Sequence, residues 1–295
     1  MNMSPKKLVE DIDRLVSLPD VCVKVNRLVD SAEYSAVRIG QIISQDTDLS
    51  ARLLRLVNSS FFGLRAPVDT ISRAVAMIGT KELRNLVLAT SAIKLFTGIP
   101  ADLVDMGEFW RHSILTGVIA QELAARCNVL HSERLFVMGV LHDIGRLAIY
   151  LTLPDQARDI LLITGGDDWL LPDTEQDVLG FTHMDVGEQL LRYWGLPDGL
   201  LTVVGAHHRP DMAGDFQFDA SLVHIAIALS NGEMNGLGIE EITTTIHPSV
   251  WELTGLDRSD LEQLLEQIPE KTAEIMDLIL SPSERIHSSS ARCPD

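Results

Sequence analysis

Apolar residues recur along this chain at three- and four-residue intervals almost throughout, the period of an amphipathic helix. Leu8, Ile12, Leu15 and Val16 form the first such stripe, and Leu18-Pro19 interrupts it before a second helix over 21–29. Ser35 is placed to cap a third helix, carrying Val37, Ile39, Ile42 and Ile43. After the acidic turn Asp46-Thr47-Asp48, Leu49, Leu53, Leu54 and Val57 mark a fourth helix, and Gly63 supplies a left-handed turn beyond it. Asp69 is predicted to cap a helix over 71–78 that Gly79 ends, and 81–96 follows as another apolar helix closed by Gly98-Ile99-Pro100. The same period predicts helices near 106–127, 132–151, 157–165, 183–194, 198–208, 219–230, 249–255 and 259–280. No run of alternating β-branched residues is long enough for a sheet. The fold class is therefore all-α. The pause after Phe96 suggests a boundary between residues 97 and 98, a second segment over 98–280, and a polar, Ser-rich tail over 281–295 expected to be unstructured.

Charge divides the chain unevenly. The formal net charge is −18, yet residues 1–95 hold 13 basic and 10 acidic side chains while the remainder holds 11 and 32. So acidic a molecule is a poor nucleic-acid binder, and none is expected as a partner. No stretch reads as long and apolar enough to span a bilayer, and Met1–Lys7 lacks the apolar core of a signal peptide, so no membrane association and a cytoplasmic location are expected. The three cysteines, Cys22, Cys127 and Cys293, are far apart, which argues against both a disulfide framework and a thiolate zinc site.

Histidines carry the chemistry. Glu108 and His112 stand four apart on one helix face. His142 and Asp143 are adjacent, late in a strongly apolar helix; His183 opens a helix after Thr182; His207 and His208 are adjacent near the end of another. Imidazole and carboxylate without thiolate suit iron, manganese or zinc. Neighbours on a helix diverge by about 100°, so both members of a pair can serve only an ion lying between them, or two bridged ions. His131, His224, His247 and His287 carry no such pattern; His224 is either a buried, hydrogen-bonded ring or a lining residue.

The order His112, His142-Asp143, His183, His207-His208 resembles the HD superfamily of metal-dependent phosphohydrolases. More narrowly, Ile43–Leu49, Leu53–Gly63, Ala74–Gly79, Phe109–His112 and Val186–Pro197 resemble the HDOD domain, over about residues 8–235. That resemblance implies a helical N-terminal lobe packed on an HD-like helical lobe, a role in bacterial signal transduction with signalling proteins as partners, and in most members no catalysis. It also implies that Glu108, His112, His142, Asp143, His183, His207 and His208 match the iron-binding positions of the related HD-GYP phosphodiesterases. Two departures count against hydrolysis. The late aspartate of the HD superfamily corresponds to Ile227, and the Gly-Tyr-Pro motif of the HD-GYP enzymes is replaced by His208-Arg209-Pro210-Asp211. Arg146 stands where those enzymes have lysine; its planar fork suits a phosphate or an acidic side chain. The expected function is a regulatory HDOD protein, leaning non-catalytic, with a metal cluster of iron, manganese or zinc. The competing readings are a metal-dependent phosphohydrolase of nucleotides or cyclic nucleotides and an iron-based sensor.

Overall fold

A computed structural model describes residues 3–12, 16, 18–29, 31 and 35–280. Leu15, His287, Cys293 and the tail 281–295 lie outside the described residues. Of the described residues 74% are helical, and none lies in a strand. In order, the α-helices are α1 Pro5–Ile12, α2 Asp20–Val29, α3 Ala36–Ile43, α4 Thr47–Val57, α5 Ile71–Ile78, α6 Thr80–Leu95, α7 Met106–Arg126, α8 Glu133–Leu141, α9 Ile144–Thr152, α10 Pro154–Thr164, α11 Leu171–Leu179, α12 His183–Tyr193, α13 Asp198–Ala206, α14 Gln217–Asn235, α15 Ile239–Thr244, α16 Ser249–Thr254 and α17 Arg258–Ile279.

Contacts group these helices into two compact units, one of residues 1–17 with 96–267 and one of residues 18–95 with 268 onward. The units are thus discontinuous in sequence, unlike the continuous lobes expected from a boundary at residue 97. The reason lies in α1, whose Leu8, Val9 and Ile12 are buried and which packs on α9 and α12. Pro269 lies inside α17 just past the division. It removes a backbone donor there.

In the larger unit α7 is flanked by α8 and α14. Two glycine crossings draw helices unusually close. A Cβ on Gly139 would lie 2.5 Å from Gly117 Cα, so α7 and α8 touch backbone to backbone. A Cβ on Gly145 would lie 2.0 Å from the His183 carbonyl oxygen and 2.6 Å from the Gly187 nitrogen, which brings α9 against the start of α12. Only glycine permits approaches of this kind.

In the smaller unit a Cβ on Gly40 in α3 would meet the Ser72 hydroxyl of α5 at 2.2 Å and its backbone nitrogen at 3.1 Å. Its helix starts are capped by Ser35 (accepting from Arg38 N–H, 3.2 Å) and by Asp46 (accepting from Leu49 N–H, 2.9 Å). Each such cap is worth about 1 kcal/mol. The cap of α5 is Thr70 rather than Asp69, because Thr70 lies one residue before the helix and its hydroxyl accepts from Arg73 N–H at 3.3 Å. Asn58 closes the loop after α4 by bonding both backbone groups of Val68 at 2.7 and 2.8 Å. Cys22 is buried and Cys127 half-buried, both as free thiols.

Three further expectations are corrected. The single helix over 132–151 is two, α8 and α9, broken at His142-Asp143. α11 and α15 were not legible, since their sequences are largely polar. Finally, Glu133–Thr152 is long and apolar enough to cross a membrane by length and composition, at 20 residues and mean hydropathy 1.4, but 83% of its apolar window is buried inside the protein. A core segment passes the same test.

Candidate metal centre

The break between α8 and α9 decides the geometry of the His142-Asp143 pair. His142 is the C-cap of α8, and Asp143 leaves helical geometry at φ −96°, ψ 11°. Within a continuous helix the two side chains would diverge; here His142 Nε2 and Asp143 Oδ2 are 3.4 Å apart. His207 is built the same way, as the C-cap of α13. The last carbonyls of a helix lack intrahelical partners. Each of these rings takes one: His142 Nδ1 bonds Gly139 O at 2.7 Å and His207 Nδ1 bonds Val204 O at 2.8 Å. A carbonyl can only accept, so the ring proton sits on Nδ1, and Nε2 points past the helix end with a lone pair. The negative ends of two helices therefore face this place, which favours a cation.

His183 begins α12, fixed by a capping box in which Thr182 N–H donates to Asp185 at 2.8 Å and Thr182 Oγ1 accepts from Asp185 N–H at 3.2 Å. One oxygen of Glu175, on α11, accepts from both the His183 backbone N–H (2.7 Å) and its Nδ1 (2.6 Å). His183 Nε2 is thereby turned inward, 3.2 Å from His207 Nε2 and 3.5 Å from Asp143 Oδ1. His207 Nε2 is 3.8 Å from the same oxygen. His112, in the second turn of α7, completes the set: its ring lies 5.2 Å from that of His142 and its Nδ1 bonds Ser230 Oγ at 3.2 Å. That hydroxyl also donates to His112 O at 3.3 Å, so it accepts from Nδ1 and leaves Nε2 bare. His112 Nε2 and His208 Nδ1 are both buried without a hydrogen-bond partner.

Burial dominates the electrostatics. It pushes His112 down to about 4, helped by the neighbouring His142, and holds His207 and His208 well below the usual imidazole range. His183 is the exception: burial opposes its charge, but the Glu175 carboxylate outweighs burial and raises it. Burial also works against the Asp143 carboxylate, yet His142 and Arg146 hold it well below the ordinary value. Arg146 Nη1 donates to Asp143 Oδ2 at 2.8 Å and to Asp168 Oδ1 at 2.9 Å, and its Nε donates to the Tyr150 hydroxyl at 3.2 Å. Asp168 lies in the loop between α10 and α11, beside Trp169, whose ring packs edge-on against His208 at 5.5 Å and His224 at 5.2 Å.

The structure thus brings together His112, His142 and Asp143 in one group and His183, His207 and His208 in another, with Asp143 between them. Glu108 belongs to neither group and pairs with Arg111 at 3.4 Å, about a third exposed. Arg146 faces two carboxylates. Sequence reasoning missed Glu175, Asp168, Trp169 and Ser230. Only Glu175 left a trace, in the Leu171-Pro172-Asp173 helix start that precedes it. His224 is a satisfied core ring: Nδ1 bonds His207 O at 2.8 Å and Nε2 accepts from His247 N–H at 3.0 Å.

These residues fit a metal ion on the structure's own terms. Two lone pairs cannot face each other at 3.2 Å without something positive between them, a proton or a metal. Two nitrogens bound to one zinc-like ion at about 2.0–2.1 Å stand roughly 3 Å apart or slightly more. The Nδ1 bonds to backbone carbonyls and to Glu175 are the outer-shell contacts that fix ligating imidazoles.

The HDOD domain matches this chain over residues 15–210. A crystal structure from Shewanella amazonensis SB2B, named for a proposed phosphohydrolase activity, is 26% identical, with a TM-score of 0.72 over 92% of this chain and 98% of that one. A protein of Marinobacter aquaeolei VT8, named for a proposed role in signal transduction, is 20% identical with a TM-score of 0.66, over 95% of this chain and 61% of that one. An uncharacterized protein of Treponema pallidum (strain Nichols) is 26% identical over 207 residues, and the matched region is 68% of this chain but only 39% of that protein.

Proposed function

Because the chain belongs to the HDOD domain family, which covers residues 15–210, we propose that it is a regulatory module of bacterial signal transduction, acting on partner proteins, whose histidine cluster binds a divalent metal ion without turning over a substrate. The observation that carries the metal reading is the pair of inward-facing Nε2 atoms of His183 and His207, 3.2 Å apart, each with its Nδ1 committed elsewhere. The donors from which the ligands of the ion would be drawn are His183, His207, Asp143, His142, His112 and His208, with Glu108 left out by its pairing with Arg111. A bound divalent ion supplies Lewis acidity and a fixed positive charge. The chain's own residues orient the rings through Gly139 O, Val204 O, Glu175 and Ser230, and Trp169 covers one side.

Three observations favour a non-hydrolytic role. Arg146, the cation best placed to meet a phosphate, is engaged by Asp143 and Asp168. Ile227 lies on α14 between His224 and Ser230, both of which reach the cluster residues, so an apolar side chain occupies the stretch where a further carboxylate would serve. Trp169 packs over His208. The competing reading, a metal-dependent phosphohydrolase of nucleotides or cyclic nucleotides, draws on the same donor set and on the Shewanella relative's name.

The test is anaerobic purification of the full chain, quantification of bound iron, manganese and zinc, and assay of the loaded protein against linear and cyclic nucleotides, with His183→Ala in parallel. Metal retained by the wild type, reduced in the variant, with no turnover beyond free metal, is the expected result. Metal-dependent turnover abolished by His183→Ala refutes the non-catalytic reading. A folded protein that takes up no metal refutes the metal reading.

A further inference from the structure

The cluster offers two triads, which on donor count alone reads as a two-ion site. The charges around Asp143 say otherwise. Its Oδ1 is not the oxygen that Arg146 bonds, and it faces His183 Nε2 and His207 Nε2, at 3.5 and 3.8 Å. Its Oδ2, which faces His142 Nε2, already receives the Arg146 guanidinium at 2.8 Å. On the His112–His142 side the remaining donors are two imidazoles, which bring no negative charge, and the α14 position between His224 and Ser230 is Ile227. A dication placed there would meet no uncommitted carboxylate and would stand close to a fixed guanidinium. Buried charges need paired opposite charges, so this half is unfavourable. The His183–His207 half is different. It has the unshared oxygen of Asp143, the Glu175 carboxylate behind His183, and the buried His208 Nδ1 without a partner nearby.

We propose that Arg146 acts as a built-in second cation, so that the cluster takes a single divalent ion, held by His183, His207 and Asp143 Oδ1, while the His112–His142 half stays metal-free. Arg146 is a positioning residue in this scheme: it touches Asp143 and sets how many ions the carboxylate can serve. Asp168 accepts from the same Arg146 Nη1 that bonds Asp143, at 2.9 Å, and so helps to hold the guanidinium in place. The proposal rests on the metal reading given above and adds to it the number and place of the ion.

The experiment is a Mn(II) titration of the full chain, following bound metal by elemental analysis and by electron paramagnetic resonance. Wild-type protein is expected to saturate at one ion per chain with the six-line spectrum of an isolated ion. His183→Ala is expected to lose that ion, and His112→Ala to keep it. Arg146→Gln, which frees Asp143 Oδ2 and Asp168, is expected to take up a second ion and show exchange-coupled lines, whereas Arg146→Lys keeps one. Two ions in the wild type overturn the proposal while leaving the metal reading intact. So do loss of the ion in His112→Ala with retention in His183→Ala, and a folded Arg146→Gln that still binds one. No Mn(II) bound by folded wild-type protein overturns both readings. Should Arg146→Gln fail to fold, the wild-type count and the His112/His183 pair still decide.

Discussion

Replacing Gly145 with alanine should damage the cluster more than any single ring substitution, because it acts on backbone. The new Cβ would sit 2.0 Å from the His183 carbonyl oxygen, 2.6 Å from Gly187 N and 2.9 Å from His183 C, where ordinary contact begins at 3.4 Å. None of these atoms is the end of a flexible side chain, so α9 and α12 must part by roughly 1 Å or more, and overpacking of this kind costs about 1–3 kcal/mol. Helix propensity pulls the other way, favouring alanine over glycine by about 1 kcal/mol in a helix interior and less in a first turn such as this. The net expectation is destabilisation of about 2 kcal/mol. The same movement takes Asp143 away from His183, which stand 3.5 Å apart, so Mn(II) affinity falls with stability. The assay is convenient. Trp110, Trp169, Trp194 and Trp251 are the chain's four tryptophans, and all lie in the unit built from residues 1–17 and 96–267. Denaturant unfolding followed by tryptophan fluorescence therefore reports that unit alone. A Gly145→Ala protein equal to or more stable than wild type would show that propensity outweighs the clash and would refute the close-crossing account.

Two further outcomes are expected. Glu175→Gln removes the carboxylate behind His183, so in metal-free protein the His183 imidazole should titrate lower by NMR, and Mn(II) binding should weaken about 10- to 100-fold, as outer-shell losses do; an unchanged His183 titration contradicts the assignment. His224 is held neutral by burial, its pKa pushed down to about 4 from 6.5, so the unfolded ring takes a proton that the folded one refuses. Stability of the metal-free chain should therefore fall as pH drops from about 6.5 to about 4, then level off, His224 accounting for roughly 3 kcal/mol of the loss; denaturation at pH 7 and pH 4.5 should show a shallower decline for His224→Gln, and an identical decline rules the contribution out.

The all-helical fold was legible because burial of one helix face writes a 3.6-residue period into the sequence, as α1, α3 and α5 show. What escaped has physical reasons. The break at His142-Asp143 was hidden because α8 and α9 are both buried and apolar, so the apolar run continues on either side of the pair; only the backbone reveals that the pair sits at a cap. α11 was missed because only Leu171, Pro172 and Glu175 of its nine residues are buried, and with it went Glu175, whose importance comes from an interaction eight residues along the chain. Asp69 and Thr70 are both plausible caps by type, and only the hydroxyl's reach to Arg73 N–H separates them. Of the sequence candidates, the histidines and Asp143 converge, whereas Glu108, chosen because it shares a helix face with His112, turns to Arg111. Sharing a face is a weaker constraint than sharing a partner.

The chain of contacts Asp143–Arg146–Asp168 has a thermodynamic consequence. It ties the carboxylate at the heart of the cluster to a loop that begins with two left-handed glycines, Gly165 and Gly166, and carries Trp169. The loop and the occupant of the cluster draw on one guanidinium. Whatever docks on the loop and draws Asp168 from Arg146 alters how Asp143 meets an ion, and by linkage the ion alters the affinity of that docking by the same factor. A protein of this design needs no moving domain to report on its cluster; it needs only a partner that competes for one arginine.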